Sequence, residues 1–434
     1  MSPETVGLLG LCVLLLLIFF GMDIGLSMAF VGFMGYVYIE GFKRGISILG
    51  TTVYNTLASY TLSVLPLFVF MGAIIAHSGI GARLYEGVER WIGHLKGGLA
   101  IATITSCAIF AAMCGSSLAE TATMGKIALP EMKKRGYSDT LAAGSVACAG
   151  SLAILIPPSI GFVIYGLLTE QPIGILFIAG IIPGVILMLL FILTVIFTIS
   201  LNPTAGPRAP KSSWKERMLI LRIIGPVVAL ILCVLGGIYA GIITPTEAGA
   251  IGAFGAIIIT TLSGYLDHKK FLRALMETIT TTAMIYLMII GAFIFTKFIS
   301  VSKLTFAFPE YVSKFGLSPY VTLVIIIGFY VLLGMFFDVM SGMVLTLPLI
   351  YPLILRLGFD PIWFGVLLVI LMEMGLVTPP IGMNVFVLRT VTNLPTEAIF
   401  KGVWPFVGAM IAGIVLLIIF PDLALYLPRL MTAR

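Results

Sequence analysis

The chain has 434 residues, 60% of them hydrophobic and only 10% charged, with a mean hydropathy of +1.15 and a formal net charge of +6. Soluble domains carry about 25% charged residues, so this composition excludes a soluble globular protein. It also excludes a nucleic-acid binder, because the basic residues sit in short loops between apolar runs instead of forming a patch.

The first apolar run, 6–20, has no basic segment before it and no small-residue cleavage pattern after it. It reads as a retained membrane span. Further runs at 181–201, 224–241 and 404–420 approach the ~20 residues needed to cross ~30 Å of hydrocarbon, and none shows the alternation of a membrane strand. The pattern predicts an all-α polytopic membrane protein with about ten to twelve passes. Basic clusters at Lys43-Arg44, Lys133-Lys134-Arg135, 208–222 and His268-Lys269-Lys270 fall between the runs, as cytoplasmic loops do.

In chain order, residues 1–201 read as a first repeat. It has opening helices, a helical hairpin at about 98–134, a broken helix at about 138–168 and a long closing helix. The hairpin tip is the small, polar stretch Cys114-Gly115-Ser116-Ser117-Leu118-Ala119-Glu120-Thr121, and the break is Ile156-Pro157-Pro158-Ser159. A basic linker, 202–222, begins with a Pro-rich polar stretch and ends at Trp214 and its basic neighbours, expected at headgroup depth. Residues 223–434 read as a second repeat, with a hairpin at about 319–356 around Asp338 and a break at Thr378-Pro379-Pro380-Ile381 near 361–390.

The two halves share one register. An offset of 222 residues (379 − 157) pairs Pro157 with Pro379, Pro158 with Pro380, Pro130 with Pro352, Gly136 with Gly358, Gly180 with Gly402 and Pro183 with Pro405. It also aligns the three-charge loop at Lys133-Lys134-Arg135 with a loop carrying only Arg356. Unequal basic loads on equivalent loops predict opposite insertion of the halves, an inverted-topology repeat.

Paired helix breaks have a chemical consequence. A proline removes an amide donor and frees carbonyl oxygens, and in hydrocarbon such oxygens persist only where something satisfies them. Loose carbonyls at Ile156, Pro157, Thr378 and Pro379, with hydroxyls from Ser116, Ser117, Ser159 and Thr378 and the carboxylate of Asp338, make oxygen cages suited to a hard cation. The free N–H groups of the interrupted helices suit a carboxylate. Asp338 also fits the simpler role of a helix cap, and Asn384 could donate and accept at the site. Glu373, a lone carboxylate in an apolar helix, reads either as functional or as half of an ion pair. Glu120, Lys126 and Arg389 receive no role. The five cysteines lack metal-ligand spacing and read as small buried hydrophobes, and the three histidines form no ligand pattern.

At these positions the chain resembles the large membrane (M) subunit of tripartite ATP-independent periplasmic (TRAP) transporters. The likeness is carried by Leu65-Pro66-Leu67-Phe68-Val69-Phe70-Met71-Gly72, by Gly115-Ser116-Ser117, and by Ala128-Leu129-Pro130-Glu131-Met132 running on to Gly136-Tyr137. It continues through Leu155 to Ser159, Ala179 to Gly184, Thr244-Pro245-Thr246-Glu247-Ala248, and Glu373 to Asn384. The resemblance implies an elevator fold of the ion transporter superfamily type, in the bacterial inner membrane. It implies sodium-coupled uptake of an organic acid, such as a C4-dicarboxylate or sialic acid, with Na+ as coupling ion and no other cofactor or metal. Its implied partners are a small four-helix membrane (Q) subunit and a periplasmic substrate-binding (P) protein.

Carried over residue by residue, the implied sodium sites are Ser116, Ser117, Ile156 and Pro157 for one, and Gly334, Asp338, Thr378 and Pro379 for the other; Ser159 and Asn384 are the implied substrate contacts. The segment Asp338-Val339-Met340-Ser341 departs from the family pattern, in which a proline more often follows the acid. A stand-alone carboxylate or anion carrier of the same superfamily is the alternative transporter reading. No catalytic constellation suggests an enzyme, and paired hairpin breaks fit a closed midplane site better than a channel.

Overall fold

The computed structural model describes residues 1–432, which are helical and contain no strand. In chain order the helices are α1 (Pro3–Phe19), α2 (Ile24–Glu40), α3 (Phe42–Leu57), α4 (Val64–Ser78), α5 (Ile80–Ile92), α6 (Gly98–Cys114) and α7 (Ser117–Lys134). There follow α8 (Asp139–Ala149), α9 (Leu152–Leu155), α10 (Ile160–Thr169), α11 (Ile173–Leu201), α12 (Trp214–Tyr239), α13 (Pro245–Leu262) and α14 (His268–Val301). The chain continues as α15 (Leu304–Lys314), α16 (Pro319–Gly334), α17 (Val339–Arg356), α18 (Pro361–Val377), α19 (Met383–Val391), α20 (Thr396–Ile419) and α21 (Asp422–Thr432). Every backbone polar group within hydrocarbon needs an internal partner, and helices satisfy that need within one segment.

Among the described residues six helices are long and apolar enough to cross a membrane, or up to nine if each sharply bent pair counts as one span. That is fewer than the ten to twelve passes the apolar runs suggested. Part of the apolar sequence is spent on shorter helices, among them α6 and α18, which belong to the hairpin and broken-helix elements.

The 222-residue offset survives in three dimensions. Helix α7 spans 117–134 and α17 spans 339–356; α8 with α9 spans 139–155 and α18 spans 361–377. The Pro157-Pro158 and Pro379-Pro380 peptide bonds are both cis. Packing exchanges the repeats: α7 lies against α19 and α17 against α10, while α8 packs on α20 and α18 on α11. Glycines permit the tightest of these crossings. A Cβ on Gly144 of α8 would lie 2.1 Å from the Gly402 carbonyl oxygen of α20, and one on Gly375 would lie 2.5 Å from the Gly334 backbone.

One difference separates the repeats. The arm before the second break is the continuous helix α18, whereas the first is interrupted between α8 and α9 at Gly150-Ser151. There the hairpin presses in, for a Cβ on Gly150 would meet Thr121 Oγ1 at 2.0 Å. Helices α2, α4, α13 and α14 form a second group, with α14 packed along both α2 and α4.

The Pro-rich stretch after α11 is not a loose tether. The Gly97 N–H donates to the Gly206 carbonyl (3.0 Å), the Ser138 N–H to the Ala205 carbonyl (3.0 Å), and the Ala209 N–H to the Gly93 carbonyl (3.0 Å). These bonds strap it across the base of the first hairpin. Beyond it, the Arg217 guanidinium lies between the Trp91 and Trp214 rings, 5.6 and 5.4 Å from their centroids. Cation–π contact of this kind fits an interfacial anchor.

Candidate functional site

The first hairpin turns at Gly115, whose φ of 63° is the left-handed conformation that glycine tolerates. Ser116 then takes extended backbone angles and caps α7, its Oγ accepting from the Ala119 N–H at 3.4 Å. Asp338 does the same for α17, its carboxylate accepting from the Met340 N–H at 3.2 Å. The cap reading of Asp338 therefore holds; it does not by itself exclude contact with an ion.

At the first break, Ser159 caps α10, accepting from the Phe162 N–H (3.4 Å) and donating to the Ile154 carbonyl. One freed carbonyl is thus answered by Ser159 itself. Ile156 lays its side chain against Gly184 of α11, so only its backbone faces the break. At the second break the Thr378 hydroxyl donates to the Met374 carbonyl at 2.5 Å. Helices α7, α10, α17 and α19 all begin at these interruptions.

Both tips meet both breaks. Gly115 packs against Ile160, just after the first break, and Gly334 against Gly375, just before the second. Across the repeats, Gly161 faces Val339, and the Ser117 hydroxyl donates to Glu373 Oε2 at 2.9 Å while accepting from Asn384 Nδ2 at 2.8 Å. Asn384 Nδ2 also lies 3.4 Å from the Ala147 carbonyl. The structure thus draws Ser117 and Asn384 together, and it adds Glu373. Among the described residues no side-chain hydrogen bond joins Ser116 to the first break or Asp338 to Thr378.

The breaks differ in access. Pro157, Pro158 and Ser159 are buried, whereas Pro379 is half-buried and Pro380 and Ile381 are exposed. One copy of the element is sealed and the other is open.

Sequence reasoning passed over Glu120. It is fully buried, and among the described residues neither carboxylate oxygen makes a well-formed hydrogen bond, its polar neighbour being the Cys107 thiol. The available signal was its place three residues after Ser117, on the same face of α7. Glu373, at 1% exposure, forms no ion pair; its one partner is the Ser117 hydroxyl, and its Oε1 is unpartnered. No ion pair among the described residues involves either acid. Lys126 and Arg389 are exposed. No group of three or more His, Cys, Asp or Glu side chains among the described residues could hold a metal.

Comparison with known proteins agrees with this architecture. The large permease DctM of a C4-dicarboxylate TRAP transporter from Pseudomonas aeruginosa is 34% identical over 88% of this chain and 89% of its own length. The sialic acid TRAP large permease SiaM of Vibrio cholerae is 30% identical over 95% and 96%. The ectoine TRAP large permease TeaC of Halomonas elongata is 32% identical over 95% and 96%. The crystal structure of the YdaH transporter of Alcanivorax borkumensis superposes with a TM-score of 0.64, covering 87% of this chain and 89% of that one. At 14% identity it shares the fold alone. Residues 11–423 match the family described as tripartite ATP-independent periplasmic transporter, DctM component, and the chain, a multi-pass membrane protein, belongs to that family of transporter large permeases.

Proposed function

We propose that this permease drives uptake of an organic acid across the bacterial inner membrane with the sodium gradient, by an elevator movement of its hairpins and broken helices. A periplasmic binding protein delivers the solute, and a small four-helix subunit stands beside the immobile helices. The reading is carried by one observation above all: two hairpin tips and two helix breaks, from repeats in shared register, converge on a buried cluster at Ser117, Glu373 and Asn384.

The chemistry fits the task. Sodium is a hard cation and takes oxygen ligands, which the tips and breaks supply at Ser116, Ser117, Ile156 and Pro157, and at Gly334, Asp338, Thr378 and Pro379. Four helix N-termini at the same interruptions favour a carboxylate. Ser159 and Asn384 border this space; the Ser159 hydroxyl and the Asn384 amide nitrogen are engaged within the protein, while the Asn384 amide oxygen has no hydrogen-bond partner among the described residues. Relatives named for C4-dicarboxylate and sialic acid support an organic acid; one named for ectoine widens the range.

The energetics suffice. Moving one positive charge inward at ~100 mV yields ~2.3 kcal/mol, and a tenfold sodium gradient adds ~1.4 kcal/mol per ion.

The test is reconstitution of the full chain with its small subunit in liposomes, with binding protein and a labelled organic acid outside. Uptake is expected only with inward sodium and binding protein together. Uptake that survives collapse of the sodium gradient removes the coupling, and uptake without binding protein favours the stand-alone carrier.

A further inference from the structure

Glu373 lies in α18 just ahead of the second break, yet its one hydrogen-bond partner belongs to the first hairpin tip. It is buried and unpaired with any basic group, and the carbonyl of the next residue, Met374, accepts from the Thr378 hydroxyl at the second break. The geometry therefore gives this one carboxylate a connection to both proposed cages.

The Ser117 hydroxyl has one proton and two lone pairs. The proton goes to Glu373, and Asn384 occupies one lone pair. The remaining lone pair is fixed in direction and free to meet an ion. Without Glu373 the hydroxyl could turn its proton towards that ion, which would repel it. On the other side, the Thr378 hydroxyl is held by the Met374 carbonyl, in the turn that follows Glu373. A shift of that turn moves both hydroxyls.

We propose that Glu373, without ligating an ion itself, is the positioning residue that couples the two sodium cages: it aims the Ser117 hydroxyl in one and directly precedes Met374, whose carbonyl holds the Thr378 hydroxyl of the other. This rests on the sodium-coupled reading above. Occupancy of either cage fixes the same side chain, so each ion favours the other, and the two cages fill cooperatively.

The experiment is a sodium titration of uptake in liposomes holding the full chain and its partner subunits. It compares the natural protein with Glu373→Gln, Ser117→Ala and the double variant. Glutamine keeps the shape but replaces one carboxyl oxygen with an amide NH2, weakening the acceptor that aims the Ser117 hydroxyl. The half-saturating sodium concentration is expected to rise about tenfold in Glu373→Gln, with the Hill coefficient falling towards unity. Because Glu373 acts through Ser117, the double variant should resemble Ser117→Ala alone, a non-additive cycle. A purely structural stitch would lower assembly without this pattern.

A sodium curve of Glu373→Gln that overlays the natural one overturns the proposal, as do effects that multiply in the double variant. If Glu373→Gln does not assemble, Glu373→Asp retains the carboxyl and withdraws it by one methylene. It should raise half-saturation, and an unchanged curve there overturns the proposal equally. Failure of the underlying reading looks different: the natural protein itself would show no sodium dependence. Should Ser117→Ala and Thr378→Ala shift the curve while Glu373→Gln does not, only the coupling role is lost.

Discussion

The hydroxyl of Ser117 lies 2.9 Å from the carboxylate of Glu373, 256 residues further along the chain. This bond joins the tip of the first hairpin to the arm leading into the second break. It places a cross-repeat contact at the centre of the proposed ion sites, and the predictions below begin there.

Ser117→Ala and Thr378→Ala should each raise the sodium concentration that half-saturates uptake, because each removes one oxygen from a cage. Losing a hydrogen-bonding partner to a charged group is worth about 1.5–3 kcal/mol, so a shift of about tenfold to a hundredfold is expected. Sodium titration of uptake reads this directly. Two unchanged curves would displace both cages.

Gly144→Ala should loosen the crossing of α8 and α20, since its new methyl would collide with the Gly402 carbonyl, a backbone atom that cannot rotate away. Overpacking of this kind costs about 1–3 kcal/mol. Gly408→Ala, in the same closing helix with nothing within 4 Å, is the control and should be neutral or slightly stabilising. Thermal unfolding in detergent compares the two. Equal melting temperatures would mean that the repeats do not cross this closely.

The amides that tie the stretch after α11 to the base of the first hairpin should exchange slowly. Protection is expected at Gly97, Ser138 and Ala209, whose N–H groups form the strap. Hydrogen exchange read by mass spectrometry over peptides spanning these positions tests it. Exchange at the rate of free peptide would return the segment to a flexible linker.

Asp267 caps α14, and the bond from the Lys270 N–H holds its carboxyl below the usual aspartate range. A depressed folded value means that the cap's contribution is fully present above the ordinary aspartate range and is lost as pH falls through the lowered one. The amides of Lys270 and Phe271 should therefore exchange faster on strong acidification, after correction for the intrinsic rate. Asp267→Asn, a competent cap without a titrating group, should remove the pH dependence while keeping the protection. Persistence of the pH dependence in that variant would assign it elsewhere.

Much of this molecule was written locally. Hydropathy alone made the chain a helical membrane protein, because hydrocarbon leaves helices as the answer for long non-alternating apolar runs. Proline and glycine act on their own backbone and that of near neighbours. The hairpin stretches at 98–134 and 319–356 and the breaks at Pro157 and Pro379 were therefore visible as punctuation, and helices α6–α7 and α16–α17 lie on those stretches. The number of spans was less legible, since a short apolar helix in a hairpin has the composition of a crossing helix.

What only the tertiary structure decided are the relations between distant segments. Sequence put Glu120 on the Ser117 face of α7 but gave no sign that it is fully buried, and the Pro-rich stretch gave none of being strapped to the hairpin base. Glu373 could have joined an ion pair; its bond to Ser117 depends on which face of α18 meets which side of α7. Packing between repeats sets that choice, through glycine contacts and helix crossings that no local pattern encodes. Sequence determined the elements and their repeat because backbone chemistry is local; structure determined the site because a buried polar group takes its meaning from the partner that folding brings to it.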